Sequence, residues 1–181
     1  MTDLNRRDAL RRGGAGLIFA ALGGALGWVT PAAAAAADAP FRTLTPGQGA
    51  WLAALGDAIA PGGAAAGIAH FVDHHITVPP AESLLALRYL DAAPPYADFY
   101  RAALDALARH AGAVPPPADD PRWTRLLGEL ATPIAGWQGP PPPFFLFAVR
   151  LDAVDMAYGT RAGFARLGVE YLAHVEPETD W

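Results

Sequence analysis

The chain has 181 residues, a formal net charge of −5 and no cysteine, so disulfides, cysteine-ligated iron–sulfur clusters, thioether-linked haem and thiol nucleophiles are excluded. Its length suits one domain with one core. The charge is unevenly placed: residues 1–37 carry four arginines and two aspartates, net +2, and the rest is net −7, which argues against nucleic acid and against a polybasic membrane surface.

The N-terminus, Asn5-Arg6-Arg7-Asp8-Ala9-Leu10-Arg11-Arg12, leads into an uncharged stretch from Gly13 to Val29 and then Pro31 and a run of alanines. A basic start, an apolar middle and a small-residue site make a secretory signal. Arg6 and Arg7, with Leu10 following, match its twin-arginine form, with Asn5 and Ala9 departing from the usual residues. Cleavage after Ala37 leaves 38–181 as the working domain; an uncleaved anchor is the alternative. The apolar middle is short for a bilayer core of about 30 Å.

Beyond the signal no segment alternates with period two, and helical spacing is punctuated by Pro and Gly. Thr45-Pro46-Gly47-Gln48 is a capping box opening a helix, with Trp51, Leu52, Leu55 and Ile59 as its stripe and Pro61-Gly62-Gly63 as its stop. A second helix is expected over 65–76, with Ile68, Phe71, Val72 and Ile76 inward. A third follows Pro79-Pro80 over 81–90, carrying Leu84, Leu87 and Leu90. A fourth spans 96–110, with Tyr96, Phe99, Ala103, Leu104 and Leu107 on one face. Asp120-Pro121 caps a fifth through Trp123, Leu126, Leu127 and Leu130. A Pro/Gly-rich loop over 132–143 holds Trp137, and a sixth helix runs from Phe144 to about Met156. A short helix over 162–167 is the last the pattern allows, with an irregular tail from Glu170. The expected fold is all-α: a small irregular domain of five to seven helices with long Pro/Gly-rich loops.

The nucleotide and hydrolase signatures are missing: no phosphate-binding glycine loop, Gly-x-Ser-x-Gly elbow or dinucleotide fingerprint occurs. The best chemical candidate is His70-Phe71-Val72-Asp73-His74-His75. His70 and His74 share a helix face, a spacing that can place two imidazoles on one metal, with Asp73 a quarter-turn away. The competing reading is a surface turn of polar residues, where His also suits a helix C-terminus. Asp57, Asp73 or Asp105 paired with a histidine is a second option, as a general base.

The last third of the chain is crowded with aromatics. Phe147 and Phe164 read as core. Trp137, in a proline loop, and Trp181, at the end, are harder to bury and suit contact with a partner.

Three segments carry a resemblance. They are Leu44-Thr45-Pro46 with Asp57-Ala58-Ile59-Ala60-Pro61; then Ala66-Gly67-Ile68 with Phe71-Val72-Asp73; and then the tail from Tyr158-Gly159-Thr160-Arg161 to Trp181. With the signal, they resemble the gluconate 2-dehydrogenase subunit 3 family. The resemblance implies a non-catalytic small subunit, without a cofactor of its own. A large partner subunit would hold FAD and oxidise a sugar, sugar acid or polyol, and a haem protein such as a cytochrome c would receive the electrons. The small subunit would supply the export signal to the twin-arginine translocase and help the large one mature, with the periplasm as destination. The partner-facing candidates are Trp137, Phe144, Phe145, Tyr158, Gly159, Phe164, Tyr171, His174, Pro177 and Trp181. The competing functions are an independent periplasmic metal-dependent enzyme or a small-ligand binder using His70, His74 and Asp73.

Overall fold

The computed structural model describes residues 16–170. Arg6, Arg7 and Leu10 of the export motif, and Tyr171, His174, Pro177 and Trp181 of the tail, lie outside the described residues.

The first element corrects the all-α expectation. Strands β1 (Ile18–Leu22) and β2 (Ala25–Val29) pair antiparallel, with Ile18 opposite Val29 and Leu22 opposite Ala25. Gly23 and Gly24 form the two-residue turn at φ 57° and 84°, which only primed hairpin turns require. Glycine weakens any helix here, while Ile18, Phe19, Trp28 and Val29 favour a pleated pair.

Nine helices follow among the described residues, where five to seven were expected. Helix α1 (Pro31–Ala36) is capped by the Thr30 hydroxyl, which accepts from the Ala33 N–H. Helix α2 (Pro46–Ile59) has the expected capping box: Thr45 Oγ1 accepts from the Gln48 N–H, and Gln48 Oε1 accepts from the Thr45 N–H. The helix expected over 65–76 is two, α3 (Gly63–Ala66) and α4 (Ile68–His75), broken at Gly67 with φ 86°. A Cβ there would also stand 2.2 Å from the Pro31 carbonyl, so glycine serves both the break and the seat for α1.

The helix expected over 81–90 shrinks to one turn, α5 (Ala86–Tyr89). Leu85 and Leu87 turn inward there and Leu84 outward. Helices α6 (Tyr96–Ala111) and α7 (Arg122–Leu130) fall close to expectation. Helix α8 (Pro142–Tyr158) begins two residues early because prolines suit a first turn. Helix α9 (Arg161–Arg166) is capped by Thr160 Oγ1.

One main core joins α2, α4, α6 and α8 through Trp51, Leu52, Leu55, Ile68, Val72, Tyr100, Leu104, Leu107, Phe145 and Val149. A smaller cluster of Ile18, Ala20, Ala34 and Ala39 joins the hairpin and α1. No described helix is long and apolar enough to cross a membrane.

Candidate functional site

Helix α4 is where the sequence placed chemistry, and its polar residues are all buried rather than forming a surface turn. Asp73 Oδ1 accepts from the N–H groups of Thr43 and Leu44 at 2.9 and 2.8 Å, and Oδ2 from that of Arg42 at 2.7 Å. His70 Nε2 lies 2.8 Å from the Ala39 carbonyl, so it carries the proton and donates. His74 Nδ1 accepts from the Phe19 N–H, and His75 Nδ1 from the Leu84 N–H. The three residues proposed as metal ligands thus fasten three stretches of backbone to α4, and His75 a fourth. Among the described residues no three metal-capable side chains gather.

Burial acts on the two last histidines. It pushes His75 down to about 4, helped by the neighbouring His74. It lowers His74 as well, with Arg42 adding to the effect and Asp73 opposing it. Both rings are therefore neutral at ordinary pH. Buried His75 Nε2 finds no hydrogen-bond partner among the described residues, an unmet donor of a kind native interiors rarely keep.

The other carboxylates raised as general bases are also engaged. Asp57 Oδ1 accepts from the N–H groups of Gly62 and Ala64 and so closes the turn after α2. Asp105 Oδ1 accepts from Gln48 Nε2. Spacing gave no sign of a further pair: the Tyr100 hydroxyl donates to Asp152 Oδ2 in a short bond, and the Ala86 N–H to Oδ1 at 2.8 Å. Burial raises Asp152 to about 7, with Asp155 adding to it and the two hydrogen bonds opposing. Burial also lifts Tyr100 well above its ordinary value, reinforced by Asp152. The pair ties α5 and α6 to α8.

A cleft of about 320 Å³ lies between α6 and the proline loop, lined by Arg109, His110, Ile134, Trp137 and Gln138 among others. Arg109 Nη2 donates to the Gln138 carbonyl, His110 Nε2 meets Glu129 at 2.9 Å, and Trp137 Nε1 donates to the Pro140 carbonyl. Arg109 and Trp137 are spent on holding the loop, and His110 on tying α6 to α7.

The feature left over is one side of α8. At about 100° per residue, Phe145, Val149, Asp152, Ala153 and Met156 face the core and are buried. Phe144, Phe147, Leu151, Val154 and Tyr158 share the opposite side, within about 80° of arc. Phe147 is 47% exposed, Leu151 39% and Val154 42%, and Phe144 and Tyr158 are half-buried. Exposed Arg150 and Asp155 border this stripe on opposite edges. The ends of the stripe are partly covered, Phe144 by the Phe99 ring at 5.6 Å and Tyr158 by the Arg166 guanidinium at 5.4 Å, and its middle, Phe147, Leu151 and Val154, stands open.

The stripe reorders the expected partner contacts. Phe144 and Tyr158 lie on it, and Gly159 follows as an exposed C-cap. Phe145 is fully buried instead, and Phe147, expected in the core, is outside. Trp137 is half-buried beside the N-terminal end of α8, and Phe164 half-buried in α9. Leu151 and Val154 were not singled out by sequence; their three-and-four spacing from Phe147 and Tyr158, apart from the buried positions, is the signal that could have found them.

Comparisons with known families, curated proteins and solved structures returned no match for this chain.

Proposed function

We propose that this chain is a non-catalytic accessory subunit of a periplasmic flavin-dependent dehydrogenase. It carries the twin-arginine signal for a large subunit that holds FAD and oxidises a sugar, sugar acid or polyol, and it assists that subunit's maturation. A cytochrome c subunit is the expected electron acceptor. The observation that carries the reading is the uncovered apolar side of α8, which marks a chain built to lie against protein. The α4 cluster supports it, because its polar side chains hold the chain's own backbone. The family-like tail and the paired arginines supply the flavoprotein part of the proposal.

The test is affinity purification of the full chain from its producing cells. A flavin-bearing oxidoreductase should co-elute, visible by flavin absorbance. In an Arg6→Lys/Arg7→Lys variant both proteins should stay in the cytoplasm. A large subunit that still reaches the periplasm would sink the shared-signal reading.

A further inference from the structure

The stripe on α8 has the spacing of a coiled-coil seam. Phe144, Phe147, Leu151, Val154 and Tyr158 are separated by three, four, three and four residues, which makes them successive a and d positions. In that register Arg150 takes position g and Asp155 position e. The b, c and f positions, Asp152, Ala153 and Met156, are buried in the chain's own core. The domain thus occupies the side a coiled coil leaves outward, and one neighbouring helix can take the other.

The two border charges decide which neighbour. When two seams pack in parallel, the g residue of one helix faces the e residue five positions further along the other. Arg150 and Asp155 are five apart and opposite in sign, so two copies in parallel pair Arg150 with Asp155 twice. In an antiparallel pair g meets g and e meets e, which sets Arg150 against Arg150 and Asp155 against Asp155. Neither residue has an ion-pair partner among the described residues of its own chain.

We infer that the exposed side of α8 is a self-association surface, on which a second copy of this chain lays its α8 in parallel to form a two-fold dimer. This rests on the reading of the chain as a subunit and names the first partner of that surface. The flavoprotein would then meet the dimer at the margins, where Trp137 lies at one end of α8 and Leu167 and Val169, 57% and 53% exposed, lie beyond the other. The seam runs about 21 Å. Phe147, Leu151 and Val154 supply most of the new contact, because Phe144 already packs on Phe99 and Tyr158 under Arg166; the contact therefore sits at the low end of the roughly 1,000 Å² that specific interfaces need, and dissociation in the micromolar range is expected.

The experiment is light scattering coupled to size-exclusion chromatography on the full chain at tens of micromolar. The wild type should show twice the monomer mass, and Val154→Arg the monomer mass with unchanged helical circular dichroism. Arg150→Asp and Asp155→Arg should each weaken the dimer about tenfold or more by setting like charges face to face. An equimolar mixture of the two single variants should recover it, as should the double swap in one chain. A monomeric wild type, a dimer indifferent to Val154→Arg, or single variants that fail to complement each other would overturn the proposal. The accessory-subunit reading falls separately: it fails if no flavoprotein co-purifies, whatever the mass of the free chain.

Discussion

Asp73 carries three backbone N–H groups on one side chain, and those groups belong to the strand of chain just before α2. Without the carboxylate the buried Leu44 N–H would be left unpaired, and those of Arg42 and Thr43, which lie nearer the surface, would have to find water. Hydrogen bonds to a charged acceptor contribute about 1.5–3 kcal/mol each and are not additive. Asp73→Ala is expected to lose about 3 kcal/mol, read as a lower urea midpoint. Asp73→Asn should fall between, because its remaining oxygen can serve Thr43 and Leu44 while its amide opposes the Arg42 N–H. Equal stability of the wild type and Asp73→Ala would remove the clamp from the account. Asp152 behaves differently because it is a buried acid raised to about 7. The folded chain then holds a proton that the unfolded chain has released between about pH 4 and pH 7, so stability falls as pH rises through that window, by at most about 1.4 kcal/mol per unit. His75, lowered to about 4, acts in the opposite sense: its contribution is present near neutrality and is lost as pH falls from about 6.5 towards 4. The two slopes oppose each other in the wild type. Urea titrations of Asp152→Asn should therefore show stability rising more steeply with pH than in the wild type, and an unchanged slope would show that Asp152 is not the titrating group.

At the scale of elements, what the sequence made legible is what local chemistry decides. Helix α2 has its cap, first-turn proline and stop within its own residues, and α6 has an apolar face bounded by Pro95 and Gly112. The break at Gly67 was not legible, because it depends on Pro31, which is distant in sequence. Helix α5 is short because its start is set by an N–H bond from Ala86 to Asp152, 66 positions away. The hairpin is hard to see in an uncharged Gly/Ala-rich stretch, because its one local signal is the Gly23-Gly24 turn and alanine and leucine carry no strand preference. At the candidate site the spacing of His70, Asp73 and His74 was legible and its purpose was not. Their partners lie 29 to 55 positions upstream, and metal ligation and backbone clamping call for the same residue types. For α8 the difficulty was phase. In Phe144-Phe145-Leu146-Phe147 every position is apolar, so no pattern says which aromatic points inward. Only packing separates Phe145, fully buried, from Phe147, 47% exposed.

At the scale of the whole molecule, the N-terminal segment is held in two unequal ways, and the division falls near the expected cleavage point. From Ala39 onward the chain is fastened by His70 on the Ala39 carbonyl and by Asp73 on the amides of 42–44, and Phe41 packs against the His70 ring at 4.6 Å. Before Asp38 the hairpin and α1 form a small cluster of their own around Ile18, Ala20 and Ala34, and meet the domain through the Phe19–His74 bond at 3.3 Å, the Trp28 ring 5.8 Å from that of His74, and Pro31 seated against Gly67. The far end of the hairpin is open to solvent, with Leu26 70% exposed, and Trp28 keeps 49% exposure even with its ring against Phe19 and His74. Ala36, Ala37 and Asp38 themselves are exposed, so the junction is open to a peptidase in the folded chain. Removing residues 1–37 costs the burial of Ile18, Pro31 and a few alanines and the Trp28–His74 contact, on the order of 4 kcal/mol, while every hydrogen bond to Asp73 survives. A chain beginning at Asp38 is therefore expected to keep a single cooperative unfolding transition, with the amides of Thr43 and Leu44 still protected from hydrogen exchange. Loss of that protection would mean that the leader, rather than α4, organises the domain. If protection persists, residues 1–37 can be removed without dismantling the fold that carries the α8 surface.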